Sequence, residues 1–101
     1  FVSTWQGSMT DLDLDTRFSV PTQVMSRLVG DETVLLDLQS GMYFGLDAVG
    51  QRIWDSVSEG ENLAAAVDVV TAEYDVDEIQ AKADAIEFVA SLVERGLLEI
   101  R

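Results

Sequence analysis

The chain contains neither cysteine nor histidine. Their absence removes disulfides, thiolate nucleophiles, the common zinc ligands and the imidazole that most often serves as a general base. A serine or threonine nucleophile would lack its usual activating partner, so no enzyme, cofactor or metal is expected. Positive charge is also scarce: six lysines and arginines stand against 19 aspartates and glutamates, a formal charge of −13. Such a surface repels phosphate backbones and argues against a nucleic-acid partner. No apolar run approaches the length needed to span a bilayer, so no membrane partner is expected either. Proline occurs once, at position 21.

What remains is 101 residues, 48% of them hydrophobic, enough for one modest core and too short for two. Gly7-Ser8-Met9 reads as an expression scar with Met9 as the natural start, and residues 1–17 are expected to be a disordered tail before a domain over 18–101. Asp11, Asp13 and Asp15 alternate with Leu12 and Leu14 like the opening of a calcium loop, but Thr16 stands where that loop needs Gly and Thr22 where it needs Glu. A solvated acidic segment is the expectation there.

Phe18, Val20 and Pro21 make an extended lead-in. A first strand is predicted over 23–29, with Val24, Ser26 and Leu28 on one face and Met25, Arg27 and Val29 on the other. Gly30-Asp31 supplies a turn, a second strand covers 33–38, and Ser40-Gly41 turns the chain into a third strand within 40–46. This meander puts the second strand in the middle and the third at an edge. Unpaired N–H and C=O groups on that edge could accept another extended chain, and no charged residue lies within it to discourage one.

Three helices are predicted next. Asp47 caps the first, whose Val49, Ile53, Trp54 and Val57 recur at helical spacing up to Glu59-Gly60. Asn62 caps the second, with Leu63, Ala66, Val67, Val70 and Tyr74 on one face. Asp77 caps a third running to about Arg95, with Gly96 placed to end it and a short apolar exit over 97–100. At roughly 100° per residue, the third helix carries two apolar stripes. One holds Ile79, Ala83, Ile86, Ala90 and Val93; the other holds Ala81, Ala85, Phe88 and Leu92. A helix resting on a single core needs only the first. The second either packs on the sheet while the first packs on helices, the reading preferred for Ala81 and Ala85, or, through the larger Phe88 and Leu92 with Asp84, Ser91 and Arg95 beside them, forms one wall of a groove. The candidate site is therefore Met42, Tyr43, Phe44, Gly45 and Leu46 on the strand with Asp84, Ala85, Phe88, Ser91, Leu92 and Arg95 on the helix. Gly45 and Gly50 have the spacing of a phosphate-binding loop, but Gln51 and Arg52 occupy the places of its Lys and Ser or Thr.

Gly41-Met42-Tyr43-Phe44, Leu46-Asp47, Gly50, Ile53-Trp54 and the closing Glu94-Arg95-Gly96-Leu97-Leu98, set on three strands and three helices, resemble the PqqD-like proteins, also called RiPP recognition elements. The likeness runs over residues 18–100; Asp47 stands where Asn is more usual, a change that keeps the N-cap. The resemblance implies an α+β domain of the winged helix-turn-helix type. It implies binding of the leader segment of a ribosomally made precursor peptide, antiparallel to the third strand and in a cleft against the third helix, for presentation to a leader peptidase or other modifying enzyme. The chain looks most like the stand-alone recognition subunits of lasso-peptide systems; pyrroloquinoline quinone biosynthesis is the family's other home. A cytoplasmic monomer is expected, with a dimer paired through the third-strand edge as the alternative. The rival from another class is a winged helix-turn-helix DNA-binding regulator reading DNA with the third helix. From Asp77 to Arg95 that helix carries Asp77, Glu78, Asp84, Glu87 and Glu94 against only Lys82 and Arg95, the reverse of what a groove-reading helix needs.

Overall fold

Gly30 and Gly41 adopt φ of 64° and 79°, a left-handed backbone that glycine reaches without a Cβ clash, and each lies in the connection between two strands. In the computed structural model, which describes residues 12–101, the elements follow in the order β1 (Phe18–Ser19), β2 (Val24–Val29), β3 (Glu32–Asp37), β4 (Tyr43–Leu46), α1 (Ala48–Ser58), α2 (Leu63–Glu73), α3 (Glu78–Glu94) and β5 (Glu99–Ile100). The reading of Gly7-Ser8-Met9 lies outside the described residues. Strands β2, β3 and β4 form the antiparallel meander with β3 central and β4 at an edge. Three helices follow, giving the α+β winged helix-turn-helix arrangement.

All three helices start where the sequence places a cap. The side chains of Asp47, Asn62 and Asp77 accept N–H bonds from Gly50 at 2.7 Å, Ala65 at 3.0 Å and Gln80 at 2.7 Å, each satisfying one of the orphan donors of a first turn. Helix α3 ends in a Schellman motif: Gly96, at φ 76°, donates to the Val93 carbonyl at 3.1 Å, and Leu97 donates to that of Leu92 at 2.9 Å. That motif turns Leu97 and Leu98 back into the core, where both are buried.

Two expectations are corrected. Residues 12–17 belong to the folded unit and are not a tail. Leu12 is buried and Leu14 packs against the core, while the carbonyls of Leu14 and Thr16 accept the N–H groups of Ala64 and Leu63 at 2.9 and 3.0 Å, satisfying donors in the first turn of α2. Asp13 is engaged locally: its Oδ1 accepts from Asp15 N–H and from the Thr16 hydroxyl. On α3 the second stripe is fully buried, Phe88 excepted, while Ile86, Ala90 and Val93 of the first are partly buried against the core. Ala81, Ala85, Val89 and Leu92 face the core, whereas Ile79 is 83% exposed and Ala83 is exposed. Ile79 and Ala83 lie on the side of the helix roughly opposite Ala81, about 160° around it, and so point to solvent.

The lead-in and exit segments also pair with one another: β1 and β5 form a two-stranded sheet in which Phe18 lies opposite Ile100 and Ser19 opposite Glu99. Two residues per strand leave no periodicity in the sequence to announce such a pairing. Among the described residues no helix is long and apolar enough to cross a membrane.

Candidate functional site

The hydrogen-bond register of β4 decides which of its backbone groups are free. Asp37 N–H donates to the Met42 carbonyl at 2.9 Å and closes the hairpin, and Leu36, Leu35, Val34 and Thr33 lie opposite Tyr43, Phe44, Gly45 and Leu46 in turn. Bonded and non-bonded pairs alternate along an antiparallel ladder, so Phe44 and Leu46 turn their N–H and C=O groups toward β3. Those of Tyr43 and Gly45 point to the open edge. Side chains alternate in the perpendicular sense: Tyr43 is 75% exposed, Phe44 is half-buried and Leu46 is buried.

Phe44 faces α3. Its ring centroid lies 6.4 Å from that of Phe88 with a tilt of 54°, and the Arg95 guanidinium carbon sits 5.0 Å above the Phe44 centroid, within cation–π range. Arg95 Nε donates to Ser91 Oγ at 3.4 Å. Phe88, Ser91 and Arg95 fall on one side of α3 because they are spaced at i, i+3 and i+7. Two hollows flank this cluster. One, of about 450 Å³, opens between α1 and α3 over Val49, Gly50, Ile53 and Phe88, with Asp84 and Ser91 among its polar margin. The other, of about 200 Å³, lies between Met42, Tyr43, Phe44 and the Arg95–Leu97 turn.

The structure thus gathers most of the expected residues along one face. Met42, Tyr43 and Gly45 are exposed along the strand, Phe44 and Phe88 form the partly buried middle, and Asp84, Ser91 and Arg95 line the hollows. Three placements differ. Ala85 and Leu92 are fully buried and Leu46 is 4% exposed, so their side chains belong to the core and not to a groove wall. At 100° per residue, Ala85 and Leu92 lie within the inward arc defined by Ala81 and Val89, while Phe88 sits at its edge on the Arg95 side. Sequence reasoning also missed the contribution of α1, whose Val49, Gly50 and Ile53 form the far side of the larger hollow.

Gly50 enters the sequence reading only through its spacing from Gly45 and the family resemblance, and its significance is spatial. A Cβ there would stand 3.1 and 3.2 Å from two ring carbons of Phe88 and 3.1 Å from Asp47 Oδ1. Glycine therefore lets the Phe88 ring lie against the α1 backbone. In an open helix, replacing Gly by Ala gains up to about 1 kcal/mol. Here Gly50→Ala should gain that increment only when Phe88 is also Ala, and be neutral or destabilising by about 1 kcal/mol in the unaltered chain. Urea unfolding of the four members of the cycle measures the difference; equal gains in both backgrounds would mean that the contact imposes nothing.

The PqqD family, described as coenzyme PQQ synthesis protein D, matches residues 32–98. The chain belongs to the PqqD family. Its match spans β3 to the end of α3 and so includes both hollows and the β4 edge. Among solved structures, this PqqD-family chain is similar to TbiB1 in complex with the TbiA(beta) leader peptide, with 44% identity, 80% of this chain and 94% of that chain covered, and a TM-score of 0.74. It is also similar to a lasso peptide synthetase B1 complexed with the leader peptide, at 28% identity, with 81% and 96% of the two chains covered and a TM-score of 0.76. No curated protein sequence matches it. The resemblance read from Gly41 to Asp47 and from Glu94 to Leu98 holds, and so does the order of strands and helices that went with it.

Proposed function

We propose that this PqqD-family protein binds the leader segment of a precursor peptide in lasso-peptide biosynthesis and presents it to a separate leader peptidase or other modifying enzyme. The leader adds as a strand, antiparallel, to the free edge of β4 and seats alternate side chains against Phe44, Phe88 and the two hollows. What supports this most is an open edge at Tyr43 and Gly45 beside a hollowed α3, in a chain 44% identical to a B1 protein solved with a leader peptide. The protein contributes binding and no chemistry of its own, and it works in the cytoplasm as a monomer, because two copies each bearing a charge of −13 oppose the pairing of their β4 edges. The family's description keeps PQQ biosynthesis as the second reading.

Fluorescence anisotropy with labelled TbiA(beta) leader and labelled random duplex DNA, in parallel at about 0.15 M salt, tests the proposal. The leader should give a saturable rise and the DNA a flat line. Tight DNA binding without any response to the leader would return the protein to the DNA-binding class.

A further inference from the structure

Among the described residues, Arg95 is the sole basic residue lining either of the two hollows. As the C-cap of α3 it already sits where the helix dipole favours a cation. Its side chain is nevertheless held in a defined place, with the guanidinium above Phe44 at 5.0 Å and Nε on Ser91 Oγ at 3.4 Å. In a chain with 19 carboxylates it makes no ion pair with any described residue. Asp37 lines the same hollow, but its Oδ1 accepts the N–H groups of Gln39 at 2.9 Å and Ser40 at 3.3 Å and so serves the hairpin turn. A guanidinium has five N–H donors in a planar fork, and among the described residues only the one on Nε has an acceptor.

We infer that Arg95 receives a carboxylate side chain, aspartate or glutamate, from the peptide strand docked on β4; the inference rests on the leader-binding reading and names a chemical requirement of that same site. The fork of Arg95 matches a carboxylate in a bidentate pair, which fixes direction as well as attraction. At the other hollow the margin is acidic, with Asp47, Asp84 and Glu87, and disfavours a second carboxylate. The Arg95 hollow sets one guanidinium against one carboxylate, Asp37, whereas the other holds three carboxylates and, among the described residues, no cation, so an incoming acid is favoured at the first. A strand shifted by one residue turns every side chain to the opposite face, so this single pair also pins the register of the docked peptide.

The test titrates labelled TbiA(beta) leader, and variants in which each Asp or Glu is singly changed to Asn or Gln, into the unaltered protein, Arg95→Gln and Arg95→Lys. One leader substitution should weaken binding to the unaltered protein by about three- to tenfold and leave binding to Arg95→Gln unchanged. Arg95→Lys should restore only part of the loss, because an ammonium lacks the fork. Circular dichroism of Arg95→Gln should match that of the unaltered protein. Binding that is insensitive to Arg95→Gln, or a set of leader substitutions none of which couples to Arg95, overturns the inference while leaving leader binding in place. No binding of the leader by the unaltered protein overturns the functional reading and the inference with it.

Discussion

Tyr43→Pro should abolish leader binding and leave the fold intact, whereas Phe44→Pro, one residue further on, should unfold the sheet. Proline removes one N–H and holds φ near −65°, so its effect depends on where that N–H points. At Tyr43 the group faces the open edge, and the position is the first residue of β4, where a proline is tolerated within a sheet. The incoming strand then loses a backbone partner and meets the pyrrolidine ring, so affinity should fall at least about tenfold, or ~1.4 kcal/mol. At Phe44 the N–H belongs to the β3 ladder and the side chain packs on Phe88 beneath Arg95. Losing both should cost about 3 kcal/mol or more, a large share of the 5–15 kcal/mol typical of a domain. Circular dichroism and leader anisotropy on the two variants distinguish these outcomes. The sheet has a second open edge in β2, and hydrogen exchange separates the two: leader should slow exchange at Tyr43 and Gly45. Protection confined to Ser26 and Leu28, whose N–H groups face outward from β2, would move the docking site to the other edge.

The legible parts of the fold were those encoded by local chemistry. Gly30 and Gly41 mark hairpin turns because of their φ, and Asp47, Asn62 and Asp77 mark helix starts because a short oxygen-bearing side chain satisfies an orphan N–H. Strand order followed from the shortness of the turns. What stayed hidden depends on residues distant in sequence. Leu12 and Leu14 stand among aspartates and look solvated until the start of α2 is brought to the carbonyls of Leu14 and Thr16. The β1–β5 pair joins two segments too short to show any period.

The candidate site divides in the same way. Its strand edge could be read from the meander alone, since the last strand of such a sheet has one free side. The helical wall could not, because α3 offers Phe88 and Val89 at nearly equal claims to the inward arc begun by Ala81 and Ala85. Packing gives that arc to Val89, which is fully buried, and leaves Phe88 at the margin. The opposing surface on α1 depends on a glycine whose role is to be small beside a ring 38 positions later in the chain, and no local pattern signals that.

Leu92→Ala and Phe88→Ala should therefore divide stability from binding, although both residues lie on what reads in sequence as one stripe. Leu92 has no exposed surface, and its truncation leaves a cavity in the core, so a loss of about 2–5 kcal/mol in urea unfolding is expected. Its effect on the affinity of the remaining folded protein should be small. Phe88 is half-buried, and much of its ring faces the Phe44 contact and the larger hollow, so Phe88→Ala should cost less than about 2 kcal/mol in stability. Its leader affinity should fall about tenfold or more, since the ring is the floor on which a docked side chain would rest. Val89→Ala is the matched control: the residue is fully buried, adjacent in sequence and outside both hollows, so it should destabilise without weakening binding. If Phe88→Ala instead behaves like Val89→Ala, with stability lost and leader affinity spared, Phe88 belongs to the core. The binding face would then be reduced to the β4 edge, Phe44 and Arg95.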